Sequence, residues 1–353
     1  LSTPQAHRNN FDFLRFLFAS FVIFTHAYAL LGNIQDDPLY PLTGRVFSEI
    51  GVCGFFAISG YLIHTSLMRS SSPWSYARKR ILRIFPGLAV VVLLSVLVLG
   101  PLAGRLPAGE YFSRSETWAY LSNMLLVPGR ETLPGVFPGN VEPAVNGSLW
   151  TLRYELLFYA LLGGMFFLGR RHKQMLIPLL IVLCLIMAFI VKNGLVRLSP
   201  LPQSLIYYTG VLGSYFLSGA LLALYSDRLQ QNKTAVLLVS SLVFFISLFL
   251  LRSRPQFLSI LAFTAMVISL GLHYTPALQF SRYTGDISYG TYIYAYPVQQ
   301  ALIAWLQPQQ VITLLVPSFL LSWLLGYLSW QLVERHFLKR RRAVPADTAG
   351  LSW

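Results

Sequence analysis

The chain has 353 residues, of which 55% are hydrophobic and only 11% are charged, and its formal net charge is +14. A soluble domain carries about a quarter charged residues, so this composition excludes an ordinary soluble fold. The positive charge does not point to nucleic acid, because membrane insertion itself asks for basic cytoplasmic loops. Apolar runs of about twenty residues recur along the chain, each long enough to cross the roughly 30 Å hydrocarbon core of a bilayer. Backbone groups cannot stay unpaired in lipid, so every such run is expected to be helical. The short alternating strands of a membrane barrel are not seen. Cys53 and Cys184 lie in apolar segments, form no disulfide or zinc pattern, and read as buried thiols. No metal-ligand set is visible.

These runs predict an all-α, polytopic membrane bundle of ten spans, near residues 11–31, 50–68, 84–104, 149–168, 175–192, 205–225, 235–252, 257–273, 286–306 and 311–333. The first run contains Ala27-Tyr28-Ala29, which mimics a signal-peptidase site. It also contains Asp12, Arg15 and His26, unlike a clean apolar leader, and reads as a permanent helix. Eleven steps at 100° bring Arg15 and His26 within about 20° of one another, with Asp12 on the same side. The axial gap from Arg15 to His26 is about 16 Å. An Asp12–Arg15 pair plus a structural histidine is the plain reading. Ionisable groups at membrane depth are nevertheless functional candidates.

The second span reads Gly51-Val52-Cys53-Gly54-Phe55-Phe56-Ala57-Ile58-Ser59-Gly60-Tyr61, followed by His64. Small residues there predict close helix packing, with Ser59 and Tyr61 available to line a polar cavity. Ahead of the third span stands Arg78-Lys79-Arg80-Ile81-Leu82-Arg83, with Pro86 just beyond. Arginines present paired donors that suit phosphate, although a lipid-headgroup anchor uses the same chemistry. Residues 105–148 form the longest connection, rich in Pro and Gly, with a short apolar stretch at 115–127 that can only make a half-helix or surface helix. The fourth span opens on Ser148-Leu149-Trp150-Thr151-Leu152-Arg153-Tyr154-Glu155 and reaches Tyr159; Arg153 and Glu155 can form a structural ion pair, or Glu155 can face a ligand.

Alternate loops hold 17 of the 27 Lys and Arg residues, from Arg8 through Arg78–Arg83 and Arg170–Lys173 to Arg340–Arg342, against 8 in the opposite set, which includes Arg197, Arg252 and Arg254. This bias places both termini, and the segment 69–83, in the cytoplasm. A single domain spanning 1–353 is expected, with a basic tail from about 335. No internal repeat is visible, which weighs against the rival reading of a transporter or flippase for a glycan or lipid-linked sugar.

Taken together these strings resemble the acyltransferase-3 family of membrane-bound acyltransferases. Arg15 to His26 is similar to its arginine–histidine motif, and residues 51–60 to its Gly-Val-x-x-Phe-Phe-x-x-Ser-Gly segment. Arg80-x-x-Arg83-Ile84 with Pro86 matches its basic third-helix motif, and Ser148-Leu149-Trp150 with Glu155 and Tyr159 its Ser-Leu-Trp motif. Ser288-Tyr289-Gly290 and Val333-Glu334-Arg335 resemble its last two helices. Cys53 and Ala295 stand where many members have an acidic residue and a histidine, so no role is carried over to either position.

The resemblance implies a bacterial inner-membrane O-acyltransferase, with acetyl-CoA or another acyl-CoA as donor substrate, no bound cofactor, and a surface carbohydrate as acceptor, lipid-linked or free. It implies His26 as general base, with Arg15 and Asp12 beside it. Arg78, Arg80 and Arg83 would bind the donor, and Ser59, Tyr61, Trp150, Glu155 and Tyr289 would line the cavity or meet the acceptor.

Overall fold

The computed structural model describes residues 9–339 apart from 197 and 251–255. Arg8, Arg197, Arg252, Arg254 and Arg340–Arg342 of the charge argument, and the tail beyond 339, lie outside the described residues. Ten long helices carry the fold: α1 Phe11–Ala29, α2 Phe47–Met68, α3 Pro73–Leu94, α4 Trp150–Gly164, α5 Arg170–Lys192, α6 Pro200–Leu224, α7 Ser226–Leu250, α8 Gln256–Leu272, α9 Ser288–Leu306 and α10 Val311–Ser329. Each expected span coincides with one of them. Among the described residues, seven helices are fit by length and apolar composition to cross a membrane, or eight if Leu258–Leu272 and Pro276–Thr284, bent by 98°, form one broken span. The expected count of ten is thus approximate. Helix α4 has only 15 residues, and α9 carries Tyr289, Tyr292, Tyr294, Tyr296, Gln299 and Gln300 among its apolar residues.

Several helices start earlier than hydropathy predicts. Helix α3 begins at Pro73, so Arg78–Arg83 sit on a helix and not in a loop. The cause is local: the Ser72 side chain accepts the Ser75 N–H at 3.0 Å, and Pro73 fits the first turn. Helix α5 likewise opens on Arg170-Arg171. Long basic side chains let a helix run past the hydrocarbon edge while their charged heads stay in water. Helix α3 continues through a widened turn at Ser95–Leu99 into Gly100–Ala103.

Small residues set the closest approaches, as the second span suggested. A Cβ on Gly60 would lie 1.8 Å from the Phe216 carbonyl oxygen, and one on Gly219 would lie 2.1 Å from that of Ala57. Helices α2 and α6 therefore meet backbone to backbone. Helices α5 and α7 turn Leu179, Val182, Leu183, Ile186, Leu238, Leu242 and Phe245 outward, as lipid-facing helices should. Helix α9 is the opposite case: residues 288–297 are all buried, so it is the central post of the bundle.

The long connection docks where its polar side chains find the far end of that post. Asn146 Nδ2 donates to the Ile293 carbonyl at 2.8 Å, and Gln300 Nε2 donates to that of Ala144 at 2.6 Å. Its apolar stretch forms the short helix Ser115–Ala119 and a tighter turn at Tyr120–Leu125. Between α1 and α2, fully buried Asp37 accepts from Thr25 Oγ1 (2.6 Å), Leu39 N (3.0 Å) and Phe47 N (3.2 Å), while Thr25 Oγ1 accepts from Ser48 N (2.8 Å). The side chains of Asp37 and Thr25 thus satisfy the open N–H groups at the start of α2.

Candidate active site

At the basic end of the bundle a cavity of about 280 Å³ opens between α1, α2, α3 and α4 and the short helix Arg335–Lys339 that continues α10. Arg15, Ser59, Arg78, Arg80, Arg83 and Tyr159 line it. A narrower space of about 40 Å³ shares Arg15, Ser59 and Arg83 with it and reaches deeper to Thr151, Glu155, Tyr289 and Tyr292. The two spaces form one funnel that narrows along α9.

The funnel's charged residues divide into two groups. Arg15 Nη1 donates to Asp286 Oδ2 at 2.6 Å, and Arg83 Nη2 donates to the same oxygen at 2.6 Å. Arg83 Nη1 also reaches Glu334 Oε2 at 3.1 Å, and Ser329 Oγ holds the other Glu334 oxygen at 2.9 Å. These two arginines and two acids form one network that ties α1, α3, α9 and the end of α10 together. Asp286 also accepts the Ser288 N–H at 3.3 Å and its hydroxyl at 2.5 Å, so the same carboxylate caps α9.

Arg80 belongs to the second group. Its guanidinium lies 5.8 Å from the Tyr76 ring and 5.9 Å from the Tyr159 ring, and Nη2 donates to Ser66 Oγ at 3.0 Å. It forms no ion pair among the described residues, and its Nε is buried without a hydrogen-bond partner. Arg78 is exposed at the mouth. A guanidinium stacked on aromatic rings and free of carboxylates can still bind an incoming phosphate. Arg83 has already given its donors to two acids.

The other expected residues separate clearly. Ser59 Oγ donates to Glu155 Oε1 at 3.4 Å, and the Tyr159 hydroxyl donates to the same oxygen. Tyr289 lines the neck, and its hydroxyl donates to the Ile84 carbonyl at 2.7 Å. Tyr61 is on neither cavity wall. It lies about 200° around α2 from Ser59 and packs on Phe11 with ring centroids 5.5 Å apart. Trp150 also turns away, against Tyr208 at 4.6 Å. Asp12 is exposed in the first turn of α1, and the ion pair of Arg15 is with Asp286 instead. Arg153 Nε donates to the Trp150 carbonyl at 3.0 Å, so Arg153 and Glu155 find separate partners and do not pair with each other.

His26 lies beyond the neck. Its ring meets Tyr296 edge to face at 5.3 Å, and its Nδ1 is buried without a hydrogen-bond partner. Tyr296 in turn lies against Gly147, where an added Cβ would come within 2.7 Å of the tyrosine ring. Tyr292, one turn lower on α9, shares a 2.7 Å bond with Thr151 Oγ1 and donates to the Ser148 carbonyl at 3.0 Å. Tyr289, Tyr292 and Tyr296 thus form a stripe from the funnel to His26, with the Ser148–Thr151 segment packed along it. Sequence reasoning missed Asp286 and the joining role of Glu334. A signal existed for Asp286: an acid two residues before a serine that opens an apolar run is a helix-start pattern.

The described residues thus form a multi-pass helical bundle with a basic, narrowing cavity at one end and a half-buried histidine beyond it. The chain belongs to the acyltransferase-3 family: the family model for an acyltransferase domain matches residues 8–329. It is 30% identical to an O-acetyl transferase of Shigella phage Sf6 over 95% of this chain and 97% of that protein. It is 31% identical to Nodulation protein 10 of Rhizobium leguminosarum bv. viciae, over 97% of this chain and 96% of that protein. Exopolysaccharide production protein ExoZ of Rhizobium meliloti (strain 1021) is 32% identical over a shorter stretch, 37% of this chain and 39% of that protein. No solved structure matches the chain.

Proposed function

We propose that this acyltransferase moves an acetyl group from acetyl-CoA to a hydroxyl of a bacterial surface carbohydrate, from the inner membrane, with both termini and the wide end of the funnel in the cytoplasm. One observation carries the reading: a cavity with Arg78 and Arg80 at its mouth narrows to Glu155, Tyr289 and Tyr292, and the next tyrosine of that stripe, Tyr296, meets His26. Arg78 and Arg80 hold the donor's phosphates by charge-assisted hydrogen bonds. The acyl end enters the neck between Glu155 and Tyr292. Arg15 and Arg83, paired with Asp286 and Glu334, keep the helices around the neck in register. His26 acts as general base. Its imidazole takes the proton of the acceptor hydroxyl while that oxygen bonds to the thioester carbonyl carbon. The carbon–sulfur bond then breaks, and the proton passes to the departing thiolate. The names of the relatives support an acetyl donor and a carbohydrate acceptor.

The test compares ester-bound acetate on the surface polysaccharide, by mass spectrometry, in cells with the wild-type protein, without it, and with His26→Ala. Acetate that disappears in both altered strains, while the variant stays at normal level in the membrane, is the expected result. Unchanged acetate without the protein overturns the acceptor class, and normal acetate with His26→Ala overturns the assignment of the base.

A further inference from the structure

A second polar side chain stands in the same α1–α9 interface as His26. Gln299 is completely buried in α9. Its Nε2 donates to the Ile23 carbonyl of α1 at 2.9 Å, one helical turn before His26. Its Oε1 is buried with no hydrogen-bond partner, the same condition as His26 Nδ1.

Helix register brings these two side chains to within about one turn of each other. Arg15 meets Asp286 near the basic end, and His26 meets Tyr296 further along, so α1 and α9 run parallel. Equal rise from Arg15 and Asp286 brings His26 level with Pro297. Helical side chains lean toward the N-terminus of their own helix, so Gln299 reaches down past this level and ends on the Ile23 carbonyl. Tyr296 and Gln299 share one face of α9, and Ile23 and His26 share one face of α1. Nearly all buried polar atoms are paired, and here an unpartnered acceptor and an unpartnered ring nitrogen stand in one helix interface.

We propose that Gln299 is the positioning residue for His26. In the working enzyme its Oε1 accepts the Nδ1 proton, which fixes the tautomer and leaves Nε2 to take the proton of the acceptor hydroxyl. A base needs a third group to orient it, and a neutral amide does so without adding charge to an apolar interface. The Nε2 bond to Ile23 anchors the amide in the interface, and the imidazole turns to meet its Oε1. This inference rests on the assignment of His26 as base.

The experiment uses Gln299→Met, Gln299→Glu and His26→Ala in membranes of the producing strain, which carry the natural acceptor. Acetyl-CoA is the probe, and thiol release and melting midpoint are measured. Gln299→Met is expected to lower kcat at least about tenfold, part of the roughly 10²–10⁴ a general base supplies. The KM for acetyl-CoA should stay unchanged, because donor binding does not involve Gln299, and the melting midpoint should fall by only a few degrees, the loss of the one bond to Ile23. Gln299→Glu, which as the protonated acid favoured in an apolar interface keeps both an acceptor oxygen and a donor to the Ile23 carbonyl, is expected to restore kcat to within a few-fold of wild type. Three results overturn the proposal while leaving His26 as base: Gln299→Met at wild-type rate beside an inactive His26→Ala, a rate loss that tracks a fall in melting midpoint beyond those few degrees, or a folded Gln299→Glu as slow as Gln299→Met. An active His26→Ala refutes the base itself, and the proposal with it.

Discussion

Asp286 is the residue whose loss tests the architecture most severely. Its one Oδ2 atom accepts from Arg15 and Arg83, both at 2.6 Å, and its other oxygen caps α9. Asp286→Ala leaves two guanidinium groups, of which only Arg83 keeps a carboxylate partner, Glu334, among the ion pairs of the described residues. Removing one partner of a buried pair costs about 3–5 kcal/mol, because the surviving charge stays desolvated. The arginine side chains keep some exposure, 18% for Arg15 and 15% for Arg83, so the lower half of that range applies. At about 2 °C per kcal/mol for a large domain, the melting midpoint in detergent should fall by about 6–8 °C. Arg15→Met added to Asp286→Ala leaves Arg83 paired with Glu334 and should recover part of the loss. The double variant should therefore be less damaged than the sum of the singles by about 1–3 kcal/mol. Effects that add to within about 0.5 kcal/mol would show that the three groups do not form one network, and would remove the reason for placing α1, α3 and α9 in register.

Three other outcomes follow from the same geometry. Arg80→Ala should leave the melting midpoint near wild type and weaken acetyl-CoA binding by about tenfold to a hundredfold, the loss of one charge-assisted phosphate contact, whereas Arg83→Ala should lower the midpoint first; calorimetric titration beside melting separates them. Gly60→Val should fail to accumulate as folded protein, since even a Cβ would sit 1.8 Å from the Phe216 carbonyl oxygen, and fluorescence-detected size exclusion reads this directly. Asp37→Ala should cost about 1–3 kcal/mol by stranding the Thr25 hydroxyl and the Phe47 N–H, and hydrogen exchange at the start of α2 should rise.

The helices were legible in the sequence because lipid imposes one rule on every span. Their ends were less so. Hydropathy starts the third span near 84, but Ser72-Pro73 starts the helix eleven residues earlier, and that capping signal is independent of apolarity. Side-chain direction within a span was legible only in part. The 100° step put Arg15 and His26 on one face of α1, and both do turn toward α9. The same step, applied to Ser59 and Tyr61, separates them by about 200°, so only one could face the funnel.

What a single sequence withholds is the partner across the interface. Arg15 had an acid three residues away, and local spacing favoured Asp12. The actual partner is 271 residues distant, and nothing in the spacing of α1 points to Asp286. Arg83 shows the consequence for function. Read in its own segment it is a third phosphate-binding arginine beside Arg78 and Arg80. Read in the bundle, its donors go to Asp286 and Glu334, while the Arg80 guanidinium three residues earlier meets a hydroxyl and two aromatic rings. A basic motif on one helix thus divides into an arginine that holds the helices and an arginine open to a ligand. The acids that divide it sit at the two ends of the chain's last pair of helices, so the division is set by tertiary packing and not by the motif.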